Sequence, residues 1–235
     1  MKTIFRPGVM AILRTLYESR NRPLHLREIA RRSHLNESSV SRNLHQLTDE
    51  AILLSEKDAN LVRFWCAPGT VPRVFPFFDD GRRSSLPLLR RKAIKAYIDG
   101  CPERPWCIVV FGSTAKGTFR ESSDLDLLVI SEGHIDDRKL TRTIEAETGI
   151  AVHTFQDGDI LESAVATGFP VQGHEYYYEV LYEGRRPDAV AGIRGGGRAL
   201  SSAVPHEKGA SPPGHRPHRS AKPRQESQAQ PPLRR

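Results

Sequence analysis

Two periodicities divide the chain. From Pro7 to Leu47 the apolar positions recur at helical spacing. Val9, Ile12, Leu13 and Leu16 share one face of a helix that Pro7 can open, because its missing N–H needs no partner there. Asn21-Arg22-Pro23 ends it, and a second helix from about His25 turns Leu26, Ile29 and Ala30 inward. After the joint Ser33-His34-Leu35, Asn36 is placed to cap a third helix carrying Val40, Leu44 and Leu47 at i, i+4 and i+7. The pattern then shortens to strand length. Ile52-Leu53-Leu54 and Leu61–Trp65 flank a polar turn and predict a hairpin with Lys57 near its tip and Arg63 on its return strand.

Residues 69–84 mix Pro, Gly and charge with three phenylalanines and are expected to be a linker that docks on one domain or the other. Ser85 is expected to cap a helix with Leu86, Leu88, Leu89, Ala93, Ile94 and Tyr97, its basic cluster Arg90, Arg91, Lys92 and Lys95 forming a solvated face. Next come an apolar strand, Cys107–Phe111, a break at Gly112-Ser113, and a second strand from Leu125. A strand over 150–155, a helix over 159–167 and an aromatic-rich closing strand over 174–184 complete the ordered part, the tyrosines 176–178 being placed in core and edge positions.

Asp124 and Asp126 stand two residues apart where that second strand begins, so in extended chain they face the same side. Two like charges so placed repel each other, and a bound cation such as Mg²⁺ resolves the repulsion. Gly112 would let backbone approach a phosphate, and Ser113 adds a hydroxyl donor beside it.

Charge sharpens this division. The overall excess of +7 conceals net +4 over residues 1–67, +4 over 68–100, −9 over 101–184 and +8 over 185–235. A basic front and an acidic middle indicate a nucleic-acid-facing part joined to a part with different work. Residues 185–235 lack aromatic residues and carry 14 Gly and Pro, the composition of a disordered basic tail able to add salt-sensitive affinity for nucleic acid. Cys66, Cys101 and Cys107 lack metal-ligand spacing and fit a reduced, cytoplasmic protein. Neither a signal peptide nor a membrane span is read.

The order helix, helix-turn-helix, hairpin resembles the winged-helix family of DNA-binding domains, with REIARRSHLNESSVSRNLHQL carrying most of the likeness. That resemblance implies double-stranded DNA as partner, with Ser38, Ser39 and Arg42 meeting base edges or nearby phosphates and Lys57 and Arg63 meeting backbone. Gly112-Ser113-x-Ala115-Lys116-Gly117, then Ser123-Asp124-x-Asp126 and an apolar run, resembles the minimal nucleotidyltransferases, as fused to winged helices in proteins of archaeal and bacterial type. The resemblance implies an α+β chain: a winged helix-turn-helix domain over 1–68, the linker, a nucleotidyltransferase-type domain with a mixed sheet over 85–184, and the tail. It further implies Gly112, Ser113 and Lys116 as nucleotide-binding, an NTP (ATP first) as substrate, and Asp124 and Asp126 as catalytic ligands of Mg²⁺. Lys116 is also read as solvent-facing.

Active family members carry a third carboxylate on a following strand, and here that position falls on His153. His153 could act as a neutral base or metal ligand, Asp157 or Asp159 could substitute, or catalysis could be lost. Three functions therefore stay open: a Mg²⁺-dependent transferase moving a nucleoside monophosphate to a hydroxyl, a DNA-binding transcriptional regulator with little turnover, and an antitoxin paired with a small helical protein.

Overall fold

A computed structural model describes residues 5–58, 60–156 and 158–182. Three helices, α1 (Pro7–Glu18), α2 (Leu26–Ser33) and α3 (Glu37–Asp49), follow the expected periodicity. Their shared face, including Ile12, Leu13, Leu16, Ile29, Val40, Leu44 and Leu47, is fully buried. Asn36 caps α3, its Oδ1 accepting from the Ser39 N–H at 2.7 Å, which satisfies one of the donors that a helix start leaves open.

The hairpin pairs β2 (Leu53–Asp58) with β3 (Leu61–Cys66). A two-residue strand, β1 (Leu24–His25), adds to the other side of β3. It is too short for any sequence period to register. The Asn21 side chain extends the pairing by donating to Cys66 O at 3.0 Å and accepting from Cys66 N at 2.7 Å.

The stretch expected as a docked linker is a helix, α4 (Val71–Ser85). Its prolines and glycine read as breakers, yet Pro72 lies in the first turn, where no N–H is needed. Pro76 would bond back to residue 72 and removes only that one bond. Burial of Val71, Val74, Phe75 and Phe78 outweighs the loss. Ser85 consequently ends α4, its hydroxyl donating to Arg82 O, and the next helix, α5 (Leu88–Gly100), begins after Pro87 instead of at a Ser85 cap.

A four-stranded mixed sheet follows, built from β4 (Cys107–Val110), β5 (Leu125–Ile130), β6 (Val152–Phe155) and β7 (Phe169–Gln172) in the order β6-β5-β4-β7. β5 and β6 run parallel and the other pairs antiparallel. Between the strands lie α6 (Gly112–Lys116), α7 (Arg138–Thr148) and, after a 3-10 turn (Gly158–Ile160), α8 (Leu161–Thr167). The aromatic segment after β7 is helical, α9 (His174–Tyr176) running into a π-helix (Tyr177–Tyr182), where a closing strand was expected. The strand place beside β4 belongs to β7, and Gly173, at φ 71°, turns the chain away from it. Helical geometry lets the adjacent Tyr177 and Tyr178 both be buried, whereas adjacent strand residues face opposite sides.

Alternation along β4 divides the interior. Cys107 and Val109 join the apolar cluster that continues through α4 into the three-helix core, while Ile108 and Val110 face α5 and α7. The helix-turn-helix and one face of the sheet thus share a core. A polar knot ties the same junction: Tyr17 of α1 and Tyr178 both donate to Asp79 of α4, at 2.7 and 2.6 Å, and Arg20 donates to Gly168 O at 2.6 Å. Among the described residues no helix is long and apolar enough to cross a membrane. The tail expected to be disordered, 185–235, lies outside the described residues, as do the last two positions of the expected closing strand.

Candidate nucleotide site and candidate DNA-reading surface

β4 delivers the chain to Gly112, and β5 brings it back through Asp126. Phe111 N donates to Asp126 O at 3.1 Å, so the two strands are still paired where the turn begins. Gly112 has φ +64°, and the carboxylate of Asp126 occupies the space that a Cβ would take. Glycine is therefore required here twice, by backbone conformation and by contact.

α6 follows directly and is held from two sides. Arg82 of α4 donates to Ala115 O at 2.6 Å while its guanidinium lies 4.3 Å from the Phe169 ring centre. Arg90 of α5 donates to Thr114 Oγ1 at 2.8 Å.

Parallel pairing of β5 with β6 sets His153 beside Asp126 in register. His153 Nδ1 lies 3.6 Å from Asp124 Oδ2, both side chains about half exposed. The fold thus brings Asp124, Asp126, His153 and Gly112 to one spot. Burial raises the Asp126 carboxyl above its ordinary range; His153 opposes that shift, Asp124 adds to it and Arg90 opposes it. A carboxylate pair held in this way is relieved by a cation.

Among the described residues no group of three or more His, Cys, Asp or Glu is arranged to hold a metal ion. The two aspartates fit Mg²⁺ in its usual mode, one or two carboxylates with the rest supplied by phosphates and water. Asp157 lies outside the described residues, and only the backbone of Asp159 is described, in the 3-10 turn. Ser113 is half-buried in the first turn of α6. Lys116 is exposed at the opposite, C-terminal end of that helix, away from the Gly112 end that Asp126 touches.

On the helix-turn-helix, Ser38 and Arg42 are exposed one turn apart on α3, and the Ser39 N–H is engaged by the Asn36 cap. Lys57 and Arg63 are both exposed on the hairpin. Lys57 pairs with Val62 and Glu56 with Arg63, so alternation puts Lys57 and Arg63 on opposite faces. One flat backbone contact cannot use both.

Arg90 does not lie on the solvated basic face expected of it. It is only 2% exposed. The signal was present: positions 90, 94 and 97 stand at i, i+4 and i+7, so Arg90 lies on the apolar stripe of its helix with Ile94 and Tyr97.

The nucleotidyltransferase domain family matches residues 106–155, and the IclR helix-turn-helix domain family matches residues 9–54. The chain carries a helix-turn-helix domain and a nucleotidyltransferase domain. The matched nucleotidyltransferase segment runs from just before β4 to the end of β6 and so contains Gly112, Asp124, Asp126 and His153. No curated protein matches. A solved structure described as "Crystal structure of the toxin-antitoxin with AMP-PNP" aligns at 18% identity over 39% of this chain and 82% of that one, with a TM-score of 0.33, too weak a likeness to carry an argument.

Proposed function

We propose that this chain is a DNA-bound transferase: residues 1–68 hold double-stranded DNA, and residues 85–184 move a nucleoside monophosphate from an NTP to a hydroxyl acceptor with Mg²⁺. The observation that carries the reading is the nesting of the Asp126 carboxylate over Gly112, with Asp124 and His153 alongside. The Gly112-Ser113 turn would present its backbone to a triphosphate beside the two carboxylates, Gly112 letting that of Asp126 come close. Mg²⁺, held by Asp124 and Asp126 together with the phosphates, would supply charge neutralisation during transfer. His153 occupies the place of the family's third carboxylate. As a base beside Asp124 it would accept the proton of the acceptor hydroxyl.

The same residue supports a second reading. Without a third carboxylate the site can hold a nucleotide and turn it over slowly, which makes the chain a DNA-binding regulator that senses NTP. Labelled NTPs with Mg²⁺ and candidate acceptors, tested beside an Asp124→Ala, Asp126→Ala double variant, decide between the two. The transferase reading expects transfer that falls to background in the double variant; equally low transfer in both proteins overturns it. For the DNA-binding half, Arg42→Ala should weaken binding to a selected duplex by about 1 to 3 kcal/mol.

A further inference from the structure

Eight residues, 117–124, connect α6 to β5, and a local turn shapes their end, Ser123 N donating to Arg120 O at 3.0 Å and Arg120 N to Ser123 Oγ at 2.8 Å. Three backbone carbonyls in this loop converge on one side chain. Arg90 Nη2 donates to Arg120 O at 3.0 Å and to Ser123 O at 2.6 Å, while Nη1 donates to Asp124 O at 3.3 Å and to Thr114 Oγ1 at 2.8 Å. Its guanidinium also lies 4.4 Å from the ring centre of Phe119. Thr114 is itself buried, so the guanidinium bridges α6 and the loop from beneath.

We propose that Arg90 is the positioning residue of the nucleotide site, fixing the backbone of Asp124 and the Thr114 side chain so that carboxylate and Gly112–Lys116 turn are presented together. The proposal rests on the transferase reading and adds to it the residue that aligns the site. Two features argue for positioning over simple stabilisation.

First, a buried cation is expensive unless paired, and Arg90 makes no ion pair among the described residues. Its charge is met instead by the carbonyl oxygens of Arg120, Ser123 and Asp124 and by the Phe119 ring. Second, each terminal nitrogen serves two acceptors, Nη2 two carbonyls of the loop and Nη1 the Asp124 carbonyl together with the Thr114 hydroxyl of α6. A planar fork can do this, and a lysine ammonium, with its donors on one atom, cannot span the same set.

The test uses the full chain with ATP and Mn²⁺ as a paramagnetic stand-in for Mg²⁺, bound ion being read by electron paramagnetic resonance. Arg90→Lys keeps the charge and removes the fork; Thr114→Val removes a single bond; Arg91→Met, on the exposed face, is the control. Loss of folded protein lowers the amount of Mn²⁺ bound at saturation and leaves the midpoint in place. A misplaced Asp124 shifts the midpoint itself.

The expected result is a midpoint raised roughly tenfold or more in Arg90→Lys, the usual cost of disturbing a residue that orients a ligand. Thr114→Val should shift less in the same direction, and Arg91→Met not at all. An Arg90→Lys midpoint equal to wild type overturns the proposal. Mn²⁺·ATP binding that is undiminished in Asp124→Ala, Asp126→Ala overturns the transferase reading itself, a separate and recognisable failure.

Discussion

The two halves of this chain present their candidate functional residues by opposite means. On the helix-turn-helix, apolar side chains do the structural work, and Ser38 and Arg42 stand on the face left over. Around the α6 turn the structural work is polar: Arg90 and Arg82 hold the loop and helix through backbone carbonyls, and Gly112 admits a carboxylate where a side chain would be. A DNA-reading surface needs exposed side chains on a rigid helix, which an amphipathic pattern supplies. A phosphate-handling turn needs bent backbone in a fixed place, which apolar packing alone does not provide.

The strongest test of that contrast lies at the junction. Burial raises Asp79 from an ordinary 3.8 to about 6, against the lowering effect of the hydrogen bonds from Tyr178 and Tyr17. The folded state then binds more protons than the unfolded state between those values. The stabilisation is complete below about pH 4 and is lost as pH rises through 6, a change of about 3 kcal/mol. Measured by urea unfolding, the stability of wild type relative to Asp79→Asn should fall by that amount from pH 4 to 7. A difference that stays flat would show that the polar knot does not sense protonation and would weaken the contrast.

Next in size is Gly112→Ala, which imposes a left-handed conformation on alanine and a clash with Asp126. It should cost about 1 to 3 kcal/mol of stability and reduce nucleotide binding while leaving DNA affinity unchanged. Equal loss of both activities would mean that the halves are not separable in this way. The smallest effect is expected from Asn36→Ala, about 1 kcal/mol from the lost cap of α3. Calorimetry together with a DNA-binding titration would read it, and nucleotide binding should not move.

Legibility followed the same contrast. α1 and α3 were readable because burial there repeats with the helix period, and the hairpin because its strands alternate about a polar turn. The order Gly-Ser, short helix, Asp-x-Asp was readable because each residue type answers a local demand. α4 was hidden because Pro72, Pro76 and Gly81 are local breakers, and only burial against α1 and the sheet overrules them. The segment 174–182 was misread because tyrosines suit strands, while the strand place beside β4 was already taken by β7. Arg90 was overlooked because a cation among cations looks like a surface.

By itself, the sequence determined the helix-turn-helix and hairpin at the front, the strand, turn and strand around Gly112, the separation of basic and acidic segments, and the identity of the residues at the turn, since periodicity, charge and glycine act within a few positions of themselves. The family resemblance already implies His153 at the site of the two aspartates; the tertiary structure alone decided the register that sets it beside Asp126 and 3.6 Å from Asp124. It also decided that Arg90 faces inward and that Lys57 and Arg63 face apart. Each of those depends on register or burial between segments far apart in the chain, and no local pattern encodes them.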